Sequence, residues 1–276
     1  MAILLDGTKL SSKINKETKK QIKESGQTPH LVAVQVGKNP ESSLYISHKS
    51  KKASKVGMMF THLTFNKEIT TEELLVKLSE LNNDDKVTGI MVQLPLPQHL
   101  DPSIISQGIV PWKDVDGFNP LNKGLLDINQ AELIPPTAQG VVELFKEYNI
   151  NVKGKQVAMV GVGEISGKPL SKIFLNQGAT VSMLNKDTKD ITIFTKYADI
   201  VVAAVGYKEL VKQDAVKKGA IVVNIGLTRD EDGIHGDVAF ESIKEKASFI
   251  TPIIGGTGPM TVALLLRNTL ICQKYK

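Results

Sequence analysis

Apolar, β-rich runs alternate with helical segments along this chain, and this alternation restricts its fold more than any other feature. The pattern occurs twice, once before and once after the pair Pro135-Pro136. Alternating strands and helices are typical of layers built on a mainly parallel sheet, so two α/β domains are predicted. The predicted strands are 31–36, 58–65, 87–92, 156–161, 180–184, 199–205 and 220–225.

Helix boundary signals support the first half of this pattern. Asn39 is a suitable N-cap and Pro40 a suitable first helical residue, and Gly57 marks the expected end of that helix. Thr70 and Glu73 have the spacing of a capping box and precede a leucine-rich segment. These signals place helices between the first three predicted strands.

The proline pair marks the predicted domain boundary. Residues 1–136 form the first predicted domain, and residues 137–258 form a Rossmann-like second domain that opens with a helix capped by Thr137. A long apolar helix is predicted from 259 onwards. Its length suggests that 259–276 packs back on the first domain and completes it.

Composition argues against several classes of protein. With 276 residues, 41% of them hydrophobic, the chain can bury two cores. The formal net charge of +5 comes from dispersed lysines, and an aromatic content of 5% is low for a surface that stacks nucleic-acid bases. No nucleic-acid partner is therefore predicted. Since about 18 consecutive apolar residues are needed for a membrane helix and none occur here, no membrane association is predicted either.

The cysteine and histidine content indicates whether the chain binds a metal and in which cellular compartment it is found. Cys272 is the single cysteine, which excludes an internal disulfide and a thiolate cluster within one chain and indicates a reducing environment. The five histidines lack metal-ligand spacing, so no metal site is predicted. Residues 1–20 contain no apolar run of signal-peptide length, and the expected location is the cytoplasm.

Polar residues follow the third predicted strand, at the end of the strand where open α/β sheets bind ligands. Gln93 and two prolines come directly after the apolar segment 89–92. A short loop later, Asp114 and Asp116 flank Val115. This spacing lets one carboxylate face a ligand while its neighbour caps the loop or faces water.

Tyr45 and Lys49 are four residues apart on the helix predicted to begin at Pro40, so they share one face. The same spacing occurs in short-chain dehydrogenases, but there it follows the nucleotide-binding fold, whereas here it precedes the glycine-rich segment described next. Taken alone, the pair is more typical of a tyrosine at a core edge and a solvated lysine than of a catalytic pair.

A glycine-rich segment, 161–169, follows the first predicted strand of the second domain. Backbone N–H groups at a helix N-terminus bind phosphate, and glycines permit the close approach of a pyrophosphate. Gly161, Gly163 and Gly167 miss the dinucleotide fingerprint by one residue at the third glycine, so an ordinary tight turn remains an alternative. The position within a renewed strand–helix series favours dinucleotide binding.

The tip of the next strand bears on the choice of dinucleotide. An NAD site usually has an acidic residue there, but this chain has Asn185 and Lys186. Because a lysine suits a 2′-phosphate, NADP is predicted and NAD is the alternative. Asp187, one position further on, keeps that alternative open.

These segments, in this order, resemble the bifunctional methylenetetrahydrofolate dehydrogenase/cyclohydrolase family over nearly the whole chain. The resemblance implies that 5,10-methylenetetrahydrofolate is oxidised with NADP to the methenyl form, which is then hydrolysed to 10-formyltetrahydrofolate for purine and amino-acid biosynthesis. The matching segments are Ser43-x-Tyr45-x-x-x-Lys49, Gln93-Leu-Pro-Leu-Pro97, Lys113-Asp-Val-Asp-Gly117, the glycine-rich segment, Gly236-Asp237-Val238 and Thr251-Pro-x-x-Gly-Gly-x-Gly-Pro-Met-Thr261.

The resemblance also implies roles for single residues at the folate site. Lys49 would transfer protons in the cyclohydrolase step while a hydrogen bond to Gln93 holds it in place. Tyr45 would stack on the folate rings, and Asp116 would accept hydrogen bonds from the pterin. Pro259 would also contact the substrate.

For the cofactor, the resemblance implies contacts from Gly161, Val162, Gly163, Lys186 and Leu227. The family has Gly-Arg-Ser where this chain has Gly161-Val162-Gly163, and a serine where it has Lys186. Lys186 is therefore expected to supply the positive charge that the missing arginine would provide.

The resemblance also implies a homodimer built through the second domain.

Three alternatives to the functional interpretation remain. An NAD-preferring enzyme and a dehydrogenase without cyclohydrolase activity are close variants, and the presence of Lys49 and Gln93 opposes the second of them. A non-catalytic cofactor sensor on the same fold is a different class. The joint presence of Tyr45, Lys49, Gln93 and Asp116 opposes the sensor.

Overall fold

The computed structural model describes residues 1–275, apart from the side chain of Glu41. Short 3₁₀ helices cover Pro111–Lys113, Gln213–Ala215 and Gln273–Tyr275. The strands are β1 (Ile3–Leu4), β2 (His30–Val36), β3 (Met59–Phe65), β4 (Gly89–Val92), β5 (Gln156–Val160), β6 (Thr180–Leu184), β7 (Ile200–Ala203), β8 (Ile221–Asn224), β9 (Leu227–Asp230), β10 (Gly233–Gly236) and β11 (Phe249–Ile250). The helices are α1 (Gly7–Ser25), α2 (Pro40–Val56), α3 (Thr71–Asn83), α4 (Pro102–Gln107), α5 (Pro120–Asp127), α6 (Pro136–Glu147), α7 (Gly167–Asn176), α8 (Thr192–Thr195), α9 (Phe240–Lys246) and α10 (Thr257–Cys272).

The chain forms two compact units, each named here after its main sheet. The three-stranded unit comprises Ser12–Leu125, Ala131–Pro136 and Val262–Lys276. The six-stranded unit comprises Met1–Ser11, Leu126–Gln130 and Thr137–Thr261.

These ranges differ from the expected division into 1–136 and 137–258 chiefly at the N-terminus. Met1–Ser11 groups with the second half of the chain because β1 forms parallel backbone pairs with β11. Two-residue strands such as these are too short to show a periodic pattern, which is why neither was predicted. The helix expected to be capped by Thr137 begins one residue earlier, at Pro136.

The sheet of the three-stranded unit is parallel, with the strand order β3-β2-β4. Successive strands therefore lie on opposite sides of β2, and the carboxyl ends of β2 and β4 flank a topological switch point. The final helix contributes to the core of this unit, as predicted, because Leu265 and Leu266 of α10 pack in one cluster with Leu31 and Met91.

The helix boundaries around this sheet follow the sequence signals. The side chain of Asn39 accepts a hydrogen bond from the Ser42 N–H (2.9 Å), and Gly57 ends α2 in the left-handed conformation with φ 91°. Thr70 and Glu73 exchange the two hydrogen bonds of a capping box at the start of α3. These predictions are confirmed.

The sheet of the six-stranded unit has the order β1-β11-β8-β7-β5-β6, and all its pairs are parallel. Its central strands β7 and β8 are apolar and buried, as expected where helices cover both faces of a parallel sheet. Because β5 lies between β6 and β7, the strand order reverses at its carboxyl end, which is the ligand-binding position of a Rossmann-like sheet. The predicted α/β class is confirmed, whereas the antiparallel hairpin β9–β10 was not predicted.

Among the described helices, none combines the length and the apolar character needed to cross a membrane.

Candidate functional site

Lys49 lies on α2, and its ammonium group lies at the carboxyl end of β4. Its Nζ donates a hydrogen bond to Gln93 Oε1 (3.0 Å) and lies 3.7 Å from the sulfur of Met91. The predicted hydrogen bond between Lys49 and Gln93 is therefore present, across 44 residues of sequence.

The amide of Gln93 is held so that its oxygen faces Lys49. The backbone N–H of Gln93 donates to the Val34 carbonyl (2.8 Å), which extends the β2–β4 pairing by one residue. The side-chain Nε2 donates to the neighbouring Leu94 carbonyl (2.7 Å). With its nitrogen engaged in this way, the side chain presents Oε1 as a fixed acceptor for the lysine.

Two opposing effects set the pKa of Lys49. Burial is the larger effect and lowers this pKa below the ordinary value for lysine, while the charge of Asp116 acts in the opposite direction. The net shift is downward. A larger fraction of Lys49 is therefore the neutral amine near neutral pH, the form that can accept a proton.

Asp114 and Asp116 have different environments although only Val115 separates them. Asp114 is buried, and its Oδ2 accepts hydrogen bonds from the Asn119 backbone N–H (2.7 Å) and from Asn122 Nδ2 (2.9 Å). Burial raises the pKa of Asp114, and these hydrogen bonds oppose the rise. Asp114 is the carboxylate that caps the loop, and it does not face water.

Val115 anchors the loop in the core. It is fully buried, and its carbonyl accepts a hydrogen bond from Asn268 Nδ2 (2.8 Å), which also donates to the Ile134 carbonyl (2.9 Å). A Cβ at Gly89 would lie 2.3 Å from Val115 Cγ1, so only glycine lets the loop approach β4 this closely. Asn268 was not predicted as a site residue, because an asparagine within an apolar helix carries no sequence signal for a contact this distant.

Asp116 is the carboxylate left available for a ligand. Among the described residues, no side chain or backbone group donates a hydrogen bond to its carboxylate. Burial raises the pKa of Asp116 to about 7; Lys49 opposes the rise and Asp114 adds to it. A half-buried carboxylate without a hydrogen-bond donor is suited to accept N–H groups from a polar heterocycle.

Tyr45 lies one helical turn before Lys49 on α2, with 57% of its surface exposed. An exposed tyrosine ring beside polar groups can stack on a flat ligand. The structure therefore brings Lys49, Gln93 and Asp116 together in the three-stranded unit and places Tyr45 on the same helix as the lysine.

The glycine-rich segment connects β5 to α7 in the six-stranded unit. Gly161 has φ 94°, and a Cβ there would lie 2.4 Å from the Ala204 carbonyl oxygen. A Cβ at Gly167 would lie 2.0 Å from the Gly161 carbonyl oxygen. Gly167 thus permits the close helix–strand approach, one residue later than in the usual fingerprint, whereas the space around Gly163 is open.

The other predicted cofactor residues lie at the same carboxyl edge of the six-stranded sheet. Val162 follows Gly161 in the turn, and Lys186 follows β6, which pairs with β5. Lys186 is exposed and forms no ion pair with any described side chain. Leu227 begins β9 just after β8 and is 44% exposed. An open glycine turn beside an unpaired lysine fits a phosphorylated dinucleotide.

Pro259 is the third residue of α10 and is half-buried. It belongs to the six-stranded unit, together with the glycine-rich segment.

Three potential metal ligands converge on the β9–β10 hairpin, although the scattered histidines predicted no such group. They are Asp230, Asp232 and His235. The ammonium of Lys208 lies 2.7 Å from an Asp230 oxygen and 3.5 Å from Asp232, so a cation of the protein already offsets part of the negative charge of the cluster.

Comparisons with known proteins cover both units. Residues 5–116 match the catalytic-domain model, and residues 135–276 the NAD(P)-binding-domain model, of tetrahydrofolate dehydrogenase/cyclohydrolase. The bifunctional protein FolD of Aquifex aeolicus is 47% identical over 284 residues, covering 100% of this chain and 97% of that protein.

Solved structures agree with these matches. The bifunctional FolD enzyme of Campylobacter jejuni superposes with a TM-score of 0.96 and 42% identity, covering 100% of both chains. The Trypanosoma brucei methylenetetrahydrofolate dehydrogenase-cyclohydrolase, solved with NADP and an inhibitor, superposes with a TM-score of 0.93 and 33% identity, covering 99% of this chain and 98% of that one. With both of its domains matched, this chain belongs to the tetrahydrofolate dehydrogenase/cyclohydrolase family of enzymes.

Proposed function

We propose that this enzyme oxidises 5,10-methylenetetrahydrofolate to the 5,10-methenyl form with NADP and then hydrolyses the methenyl form to 10-formyltetrahydrofolate. The observation that supports both steps in one chain is the half-buried Lys49, which has a lowered pKa and is held by Gln93. A dehydrogenase without the second activity would have no use for a lysine tuned in this way.

In the cyclohydrolase step, Lys49 is the proposed proton-transfer group. Its neutral amine donates one hydrogen to Gln93 Oε1, which turns the nitrogen lone pair away from Gln93. The lone pair accepts a proton from water as the water oxygen bonds to the methenyl carbon. The resulting ammonium then returns a proton to the folate nitrogen whose bond to that carbon breaks. The hydroxyl group of the adduct releases its own proton to solvent as the C=O bond forms, which yields the 10-formyl product.

In the dehydrogenase step, the proposed work of the chain is to position the substrate. Bound NADP would supply the acceptor for the hydride that leaves the methylene carbon. Tyr45 stacks on the folate rings and Asp116 accepts pterin N–H groups, so that the methylene carbon is presented in one orientation. The assignment of Asp116 is supported by the absence of a hydrogen-bond donor to its carboxylate among the described residues.

The proposed NADP site is the carboxyl edge of the six-stranded sheet. Gly161, Val162 and Gly163 line the turn at the N-terminus of α7, where backbone N–H groups favour a pyrophosphate. Lys186 would hold the 2′-phosphate, and Leu227 would pack against the nicotinamide half. The open space around Gly163 supports these assignments, and so does the exposed ammonium of Lys186, which forms no ion pair with the described side chains.

Lys186→Ala is expected to raise the KM for NADP about tenfold, because a charged contact to the 2′-phosphate is lost. The KM for NAD should stay unchanged, because NAD has no 2′-phosphate. Steady-state dehydrogenase kinetics with both dinucleotides measure this difference. Lys218→Ala, which removes an exposed lysine at the opposite, amino end of β8, is the matched control. An equal change for NADP and NAD would refute the assignment of Lys186.

The proposed activity itself is tested with the purified protein and 5,10-methylenetetrahydrofolate. NADP and NAD are supplied in parallel while reduced dinucleotide, the methenyl form and the 10-formyl product are followed. We expect reduction of NADP and conversion of the methenyl form to the formyl product. Reduction without formyl product would indicate a monofunctional dehydrogenase, and binding of NADP without turnover would indicate a sensor.

A homodimer built through the six-stranded unit is the proposed assembly. It is supported by large apolar side chains that this unit exposes and that a partner surface would cover. Light scattering after size exclusion should give about twice the chain mass of 30.1 kDa, and the chain mass itself would contradict the dimer. The exposed side chains are Leu175, Met183, Ile193, Phe194 and Tyr197.

The proposed location is the cytoplasm, where the 10-formyl product would serve purine and amino-acid biosynthesis. The unpaired thiol of Cys272 supports a reducing compartment. Fractionation of cells with an antibody against the protein tests the location, and recovery outside the cytoplasmic fraction would refute it.

A further inference from the structure

Asp237 is a fully buried carboxylate for which the proposed mechanism has no role. It lies just after β10, and its oxygens accept hydrogen bonds from three consecutive backbone N–H groups, those of Val205 (2.7 Å), Gly206 (2.8 Å) and Tyr207 (2.8 Å). In the described part of the chain no lysine, arginine or histidine forms an ion pair with it. Within residues 1–275, the groups that balance the charge of Asp237 are thus the N–H groups of the loop 205–207.

Three successive N–H groups that point at one place form a nest, a backbone arrangement that binds anions. Here the bound anion is a side chain of the same protein. The carboxylate therefore fixes the conformation of the loop 205–207 and also keeps its N–H groups from binding a phosphate. A pyrophosphate at this edge of the sheet is left with the N-terminus of α7 as its site.

Close packing makes this arrangement rigid. A Cβ at Gly226 would lie 2.1 Å from Asp237 Oδ2 and 2.5 Å from the Gly206 nitrogen, so only glycine lets the three segments approach this closely. Asn224 links the segments next to Asp237, because its side chain donates to the Gly226 carbonyl (2.9 Å) and accepts from the Val238 N–H (3.3 Å). The carboxylate has no room to move away from the loop.

The loop held by Asp237 lies beside the proposed cofactor residues. A Cβ at Gly161 would lie 2.4 Å from the Ala204 carbonyl oxygen and 2.9 Å from Val205 Cγ2, so the loop adjoins the glycine-rich segment directly. Gly206 is on the other side near Leu227, whose carbonyl oxygen would lie 3.8 Å from a Cβ at that glycine. Val205 is 47% exposed at this edge. The loop therefore lies between the parts of the site assigned to the pyrophosphate and to the nicotinamide half.

We propose that Asp237 is a positioning residue for NADP, which acts by holding the loop 205–207 as the wall between these two parts of the cofactor site. Its role depends on the proposed NADP site. Asp237→Asn preserves the shape of the side chain but places an N–H₂ group against the loop N–H groups, so one or more of the hydrogen bonds is lost.

The bifunctional chain provides an internal control for this substitution. For Asp237→Asn we expect the KM for NADP to rise about tenfold with the dehydrogenase kcat reduced less, while the methenyl cyclohydrolase rate of the same sample stays within about twofold of wild type. Asp214→Asn, an exposed aspartate of the same unit, should leave both activities unchanged.

The remaining outcomes distinguish a positioning role in NADP binding from a general role in the stability of the protein. An unchanged KM for NADP in Asp237→Asn would overturn the proposal. The proposal would also be overturned if Asp237→Asn lost both activities in parallel while Gly206→Ala had normal kinetics. Gly206→Ala strains the same loop at φ 76° without touching the carboxylate, so it tests the loop even where Asp237→Asn fails to fold. Failure of the wild-type enzyme to use NADP would instead refute the proposed cofactor site.

Discussion

Lys49→Met is expected to lower the cyclohydrolase rate about 10³-fold, because it removes the only group assigned to proton transfer in the hydration and ring opening. Methionine retains the apolar stem and fills the same half-buried space beside Met91. Hydride transfer requires positioning and no proton at Lys49, so the dehydrogenase rate should fall much less. The measurement is the decay of the methenyl absorbance, alongside NADPH formation on the same sample.

The matched control for this variant is Lys51→Met, an exposed lysine of the same helix that should retain both activities. Gln93→Met should slow the cyclohydrolase step by a smaller factor, because it removes the acceptor that orients the amine and leaves the amine in place. A Lys49→Met enzyme that hydrates the methenyl form at the wild-type rate would exclude Lys49 as the proton-transfer group.

The lowered pKa of Lys49 also predicts the direction of the pH dependence. The base is the neutral amine, which accumulates as the pH rises through this lowered pKa. The cyclohydrolase rate of the wild-type enzyme should therefore increase as the pH rises through that pKa, level off above it, and fall as the solution is acidified. A profile of kcat against pH measured at saturating folate tests the sign.

Asp116→Asn is expected to weaken folate binding about 100-fold, through the loss of charge-assisted hydrogen bonds to the pterin. Asparagine keeps one accepting oxygen and places an N–H₂ donor opposite the pterin N–H groups. Both activities should show the higher KM, since the same pterin is held in both steps, whereas Lys49→Met should affect mainly one. Titration calorimetry with folate and the two KM values measure the effect.

The pKa of Asp116 near 7 adds a second test on the same residue. As the pH falls through about 7 the carboxylate becomes protonated, so folate binding to the wild-type enzyme should weaken, and Asp116→Asn should lack this dependence. Asp85→Asn, an exposed aspartate of the same unit, is the control. Wild-type affinity in Asp116→Asn would show that the pterin is held elsewhere.

Much of the fold and part of the site could be predicted because their signals are local. The N-cap at Asn39 and the capping box at Thr70 were each predicted from a few neighbouring residues and are present. The shared face of Tyr45 and Lys49 follows from one helical turn. The glycine-rich segment was found for the same reason, since its glycines follow one another within a few residues and the close approach at Gly167 is to the nearby Gly161 carbonyl.

Other features involve residues far apart in the sequence and leave no local pattern. The hydrogen bond between Lys49 and Gln93 was anticipated only through the family resemblance, because the two residues are 44 positions apart. The different environments of Asp114 and Asp116 depend on Asn119 and Asn122, which no spacing rule connects to them. The contact of Asp237 with the loop 205–207 spans about 30 residues and was not predicted.

The sequence by itself determined the α/β class, the helix limits and the chemical types of the groups at the site, because periodicity, capping and glycine conformation act within about one or two turns of chain. Tertiary structure alone decided which carboxylate is left without a hydrogen-bond donor and in which direction the pKa of Lys49 shifts. Those properties depend on desolvation and on charges that distant segments bring together, and a one-dimensional pattern does not record either of them.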